Sequence, residues 1–163
     1  MTTDKTSKPK TMRLKVLTPT YTTMSLEINE DFPDYLRKTR RITSSRDLFQ
    51  MFKHLVHSPR EVFLCLHVDS KNRIICVDTV SQGSLNASIV HPRELFSSAI
   101  LSAAAAIVLI HQHPSGDPDP SREDIELTTR IQDGAKILGI RVLDHIVIGE
   151  DRYYSFADRG LLL

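Results

Sequence analysis

The stretch from His111 to Ile125, HQHPSGDPDPSREDI, gathers residue types that can hold a metal ion and use it for hydrolysis. On an extended strand, residues i and i+2 point to one side, about 6.5–7 Å apart along the chain, so His111 and His113 can meet one ion. Neutral imidazole is the commonest protein ligand for zinc. Two imidazoles with a carboxylate leave a fourth position for water, the pattern of a catalytic rather than a closed structural site. Asp124 stands eleven residues after His113, beyond PSGDPDP, a segment composed to reverse the chain. The same residues also read as an ordinary helix start, with Ser121 capping and Asp124 near the positive end of the helix dipole. Ser44-Ser45-Arg46-Asp47 repeats that S-x-x-D pattern with no histidine pair beside it. The informative unit is therefore the whole string, with H-x-H at a strand end, then a reversal, then S-x-x-D at a helix start.

Several elements must position these residues. IVLIHQH reads as a short buried strand ending at the histidines, and Ser121 opens a helix that stops at Gly139. SSRDLFQMFKHLV places Leu48, Met51, Phe52 and Leu55 at helical spacing. EVFLCLHVD and NRIICVDTV flank Asp69-Ser70-Lys71-Asn72 as a hairpin. A symmetric loop puts Leu64 opposite Val77, Leu66 opposite Ile75 and Cys65 opposite Cys76, with the two thiols unbonded in a reducing cytosol. LNASIV reads as a third strand, HPREL opens a helix to about Ala104, IRVLDHIVIG is another strand, and RYYSF is the last. Strands interleaved with helices give an α/β sandwich, a mixed sheet covered by helices on both sides.

The bulk properties set the class. A chain of 163 residues with 40% apolar and 25% charged residues is sized and composed for one globular domain. The longest apolar run, Ala99 to Ile110, suits a buried element rather than a membrane span, and MTTDKTSKPK lacks the apolar region of a signal peptide. A cytoplasmic location is the expectation. Two cysteines outside a C-x-x-C pair exclude a disulfide scaffold and a zinc knuckle. Residues 1–60 hold 12 Lys/Arg against 6 Asp/Glu, and the rest of the chain 9 against 14. Such a basic third suits nucleic acid or another acidic partner, but without interleaved aromatics a solvated polar extension is the ordinary reading. The first 20 or so residues, rich in Thr, Lys and Pro, read as a flexible tail.

HQHPSGDPDPSREDI resembles the JAMM motif, HxHx7SxxD, of the JAB/MPN metalloproteases. With EVFLCLHVDSKNRII, HPRELF and GIRVLDHIVIG it is similar to the RadC-like branch in particular, over roughly residues 44–163. That resemblance divides the chain into a basic extension, residues 1–43, and a hydrolase domain, residues 44–163. Residues 1–43 do not resemble the helix-hairpin-helix module of longer relatives, so the DNA-repair association of the family name gains no support from them. The implied fold is a three-layer sandwich of the JAB/MPN, cytidine-deaminase-like architecture. The implied ligands of one zinc ion, or of another divalent transition metal, are His111, His113 and Asp124. Gln112 stands where RadC-like chains usually carry Asn, and it should point away from the metal.

The family also uses a glutamate at the start of an early strand, which matches Glu61. Glu94, on the first turn of a helix, is the competing acid and has an ordinary dipole role there. The implied chemistry is hydrolysis of a peptide or isopeptide bond, with Glu61 as general base and Ser121 donating to the developing oxyanion. A zinc nucleobase deaminase needs H-x-E and P-C-x-x-C, neither of which occurs. The stronger rival is a non-catalytic or vestigial metal-binding module in DNA repair or a protein assembly. A monomer and a homo-oligomer are both open. Asp117 and Asp119 are expected to shape the turn. His54, His57, His67 and His91 have structural readings. For His145 a hydrogen-bonded core histidine is favoured over support of the metal site.

Overall fold

A computed structural model describes residues 20–22, 33–83 and 90–162. Its helices are α1 (Asp34–Thr39), α2 (Ser45–Phe52), α3 (Pro92–Leu101) and α4 (Arg122–Leu138), and a 3-10 turn, Lys53–His57, extends α2. The strands β1 (Val62–Val68), β2 (Ile74–Gln82), β3 (Ala106–Gln112), β4 (Arg141–Ile148) and β5 (Tyr153–Ser155) form one sheet in the order β2-β1-β3-β4-β5. Among the described strands only β3 and β4 run parallel, joined through α4; the other pairs are antiparallel. The sheet is thus mixed, as expected, and helices cover both of its faces.

Alternation along the central strands sorts the core into two layers. Leu64, Leu66, Val108, Ile110, Ile146 and Ile148 meet Leu36, Leu48, Met51 and Phe52 from the α1/α2 side. Phe63, Cys65, Ile107 and Leu109 meet Leu95, Phe96, Ala99, Ile131 and Ala135 from α3 and α4. His111 continues the second series to the end of β3, so its ring lies on the α3/α4 face. Gln112 belongs to the opposite face. On α4 the buried stripe is Asp124, Thr128, Ile131 and Ala135, polar over its first turns and apolar afterwards. The polar end of that stripe lies beside the end of β3. Gly139 stops α4 in the left-handed conformation, φ 69°, which glycine adopts without steric cost.

The hairpin departs from the expected register. Asn72 adopts φ 59° and Asp69 binds the amides of Lys71 and Arg73, which adds a residue to the turn. A second irregularity between His67 and Val68 leaves Ile75 unpaired. Leu64 therefore faces Thr79, Leu66 faces Val77, Cys65 faces Asp78 and Cys76 faces His67. The thiols are not direct neighbours, and both are free.

Two further differences are local. The helix expected to reach Ala104 ends at Leu101, because Ala103 turns to φ 53°. Within the stretch read as an extension, α1 contributes Leu36 to the core, and Ile42 packs beside it. The expected third strand over LNASIV falls outside the described residues except for Val90, which is buried against the α3/α4 layer. The tail expected over the first 20 residues is outside them apart from position 20.

Candidate metal centre

The parallel β3-α4-β4 crossover carries the chain from the end of β3 to the start of α4 and so brings the motif's two halves together. His111 Nε2 lies 3.2 Å from Asp124 Oδ1, and His113 Nε2 lies 3.3 Å from Asp124 Oδ2. One nitrogen from each histidine and one oxygen of Asp124 all fall within 4.8 Å of one another. His111 is completely buried, and its Nε2 has no hydrogen-bond partner despite the nearby carboxylate. A buried, unpartnered nitrogen facing a carboxylate and a second imidazole is the arrangement a cation would satisfy. Two imidazoles and one carboxylate are also a donor set that suits zinc.

Each donor is held from behind. His113 Nδ1 donates to the Asp117 carbonyl at 2.8 Å, which directs Nε2 at Asp124. Asp124 is fixed by a reciprocal capping box: its amide donates to Ser121 Oγ at 3.1 Å. In return, Asp124 Oδ2 accepts from the Ser121 amide at 2.7 Å and from Ser121 Oγ at 2.6 Å. The loop that delivers Asp117 is braced by the β4–β5 turn, where Glu150 donates its amide to Gly116 O and Arg152 pairs with Asp117 at 2.9 Å. Position 149 must be glycine for that contact, since a Cβ there would lie 2.6 Å from Pro118 Cδ and 2.7 Å from Gly116 O.

Burial and neighbouring charge set the protonation states. Burial pushes His111 down to about 4, so its imidazole is neutral at physiological pH. His113 is raised, first by its hydrogen bond to Asp124. Burial works against ionisation of Asp124, but His113, His111 and the Ser121 hydroxyl outweigh it and hold the carboxyl well below the usual carboxylate range. Glu61 sits immediately before β1 with Oε1 4.0 Å from His111 Nε2, half-buried, and burial raises its carboxyl. A carboxylate made more basic beside the ligand nitrogens has the character a general base requires.

The structure thus brings together His111, His113, Asp124, Glu61 and Ser121. Glu94 is exposed on the first turn of α3, and Asp117 and Asp119 are exposed on the loop. Gln112 points away from the histidines, and its Nε2 donates to the Arg60 carbonyl at 2.6 Å, which ties down the segment leading to Glu61. His145 is a buried, hydrogen-bonded histidine, as favoured from the sequence. Its Nε2 lies 3.1 Å from His111 Nδ1, and its Nδ1 lies 2.7 Å from Thr128 Oγ1. These bonds form a link from β4 to α4 and to the candidate ligand His111, in keeping with both sequence readings. The polar start of the Asp124-Thr128-Ile131-Ala135 stripe is the signal that points to it.

Comparison with known proteins places the chain in a family. A family model described as the RadC-like JAB domain matches residues 42–161. The chain belongs to that family. It is 53% identical over 128 residues to a UPF0758 protein of Pelobacter propionicus, covering 78% of this chain and 56% of the relative. A UPF0758 protein of Methanosarcina acetivorans is 49% identical over 124 residues, covering 76% of this chain and 54% of the relative. The matched region spans about half the length of these curated relatives. Among the described residues, no helix is long and apolar enough to cross a membrane.

Proposed function

We propose that this chain is a metal-dependent amide hydrolase of the JAMM type, a peptidase or isopeptidase, with its hydrolase domain at residues 44–163 and zinc as its metal. The observation that carries the reading is the meeting of His111, His113 and Asp124 donor atoms within 4.8 Å, with the Glu61 carboxylate 4.0 Å from His111 Nε2. His111, His113 and Asp124 would hold a divalent ion, which would supply Lewis acidity and lower the pKa of a bound water to about 7. Glu61, beside the ligand nitrogens, would be the group that takes a proton from the attacking water and returns it to the departing amine, a role that needs reach to the water rather than to the ion. Ser121 has one hydroxyl proton, and here it goes to Asp124 Oδ2. Its first role is to orient the carboxylate. Donation to a developing oxyanion follows only when that proton leaves Asp124.

Metal analysis of purified protein is expected to find about one transition metal per chain, lost in His113→Ala. Unchanged metal content in that variant removes the site. A chelator-sensitive assay against peptide and isopeptide substrates is expected to show Glu61→Gln retaining metal and losing about 100-fold or more in rate. Full activity in Glu61→Gln rejects the base assignment. A loaded protein that cleaves no amide in such a panel favours the non-catalytic metal-holding module instead.

A further inference from the structure

Behind the ligands runs a chain of buried hydrogen bonds: His111 Nδ1 to His145 Nε2 at 3.1 Å, His145 Nδ1 to Thr128 Oγ1 at 2.7 Å, and Thr128 Oγ1 to the Asp124 carbonyl at 2.6 Å. Its direction can be worked out from the far end. A carbonyl only accepts, so the single hydroxyl proton of Thr128 goes to Asp124 O. His145 Nδ1 must then carry a proton and donate to Thr128. Both imidazoles are completely buried, which favours their neutral forms, so His145 Nε2 is a bare acceptor. His111 Nδ1 is left as the donor to His145. The His111 proton is thereby fixed on Nδ1, and the lone pair of Nε2 faces His113 and Asp124.

We infer that Thr128 and His145 are positioning residues that set the tautomer of His111 and so hold its Nε2 open for a metal ion. The chain starts at His111 on β3 and ends on the first turns of α4, where Asp124 supplies both the terminal carbonyl and a ligand carboxylate. One helix start therefore fixes the carboxylate directly and the far histidine through two intermediaries. His113 obtains the same tautomer more simply, from the Asp117 carbonyl. Phe156 stacks on His145 at 4.7 Å and Phe63 on His111 at 5.4 Å, so each ring is also held in plane. A metal-bound histidine normally has its other nitrogen oriented by a carboxylate, carbonyl or water. Here a second histidine takes that place.

The inference deepens the proposed metal centre, yet its first test needs no metal. Long-range proton–nitrogen correlation spectra of the metal-free protein at neutral pH are expected to show His111 and His145 both neutral and protonated on Nδ1. A His111 protonated on Nε2 overturns the inference. In the second test, zinc affinity is measured by competition with a chromogenic chelator. Thr128→Val, which keeps the shape and removes the hydroxyl, is expected to bind zinc about 10–100-fold more weakly, and Thr128→Ser to stay within about threefold of the parent chain. Equal affinities in all three overturn the inference, as does a Ser variant as weak as the Val variant. If Thr128→Val does not fold, the tautomers of the parent chain decide the matter. A parent chain with the expected tautomers and no affinity for zinc leaves the inferred proton placement standing and removes the metal centre.

Discussion

Among the described residues, two helices open on an S-x-x-D capping box, and the pair teaches what separates a helix cap from a ligand. Ser44 and Ser121 each accept from the amide of the aspartate three residues on, at 3.3 and 3.1 Å, and each aspartate binds the serine amide in return. Beyond the box the two carboxylates differ. Asp47 is ringed by fixed donors: the Thr43 amide at 2.7 Å and Thr43 Oγ1 at 3.0 Å on Oδ2, and the Tyr35 hydroxyl on Oδ1. Asp124 meets two imidazole nitrogens instead. Both carboxyls are lowered against the opposing effect of burial, Asp47 by hydroxyl and backbone donors and Asp124 by histidines and Ser121. A carboxylate surrounded by donors that cannot give way is structural. One facing nitrogens that can lose a proton or already lack one is open to a cation.

The largest effect should come from exchanging each aspartate for its amide. Asp124→Asn removes the anionic ligand, and zinc affinity is expected to fall by more than the roughly 100-fold that an outer partner can cost. Asp47→Asn turns an acceptor into a partial donor amid N–H and O–H groups, and is expected to lower stability by about 1–3 kcal/mol in chemical denaturation. It should leave one zinc per chain. Loss of metal in the Asp47 variant would erase the distinction between the two boxes.

The two boxes look alike in sequence, and only their surroundings separate them. Local signals were enough for α4, bounded by Ser121 and Gly139, and for β3 with its unbroken apolar run; these elements carry His111 and Asp124, and His113 follows β3 directly. Glu61 was reachable only through the family resemblance, because no local rule links residues fifty positions apart. The hairpin register turned on the left-handed Asn72 and an unpaired Ile75, which composition does not announce. With six residues and one buried apolar side chain, α1 is too short for periodicity to register. It is held partly by Tyr35 reaching Asp47, a contact across twelve positions. His145 and Thr128 meet through the same kind of non-local side-chain pairing.

A smaller and graded difference is expected in pH dependence. Asp124 stays ionised through the neutral range, so the groups that compete with zinc are the histidines. The hydrogen bond to Asp124 raises His113 above its ordinary value, and this proton must leave when the metal binds. Zinc affinity should be flat above that raised value and fall about tenfold per pH unit below it. The fall should steepen near pH 4, where His111 takes a second proton. In the metal-free protein the raised His113 contributes stability below about pH 6.5 that is lost as pH rises through its folded value. Buried His111 does the opposite: its contribution is present above about 6.5 and is lost as pH falls toward about 4. Chelator competition across the neutral range checks the affinity slope. Asp47→Asn should leave it unchanged, and a slope absent from the parent chain would mean that His113 carries no proton to displace.

The smallest effects isolate the caps themselves. Ser44→Ala and Ser121→Ala each remove the side-chain acceptor of an N-cap, and each is expected to lower the stability of the metal-free protein by about 1 kcal/mol. There the Ser44 variant should stop. Ser121→Ala also takes the hydroxyl donor 2.6 Å away from Asp124 Oδ2. Its carboxylate is freer to turn and easier to protonate, and zinc affinity should fall by up to about tenfold. Paired denaturation and zinc titrations therefore subtract the cap from the site: equal stability losses with unequal zinc losses measure what Ser121 adds by orienting a ligand. If both variants weakened zinc equally, a general loosening of helix starts would explain Ser121, and its orienting role would have to be abandoned.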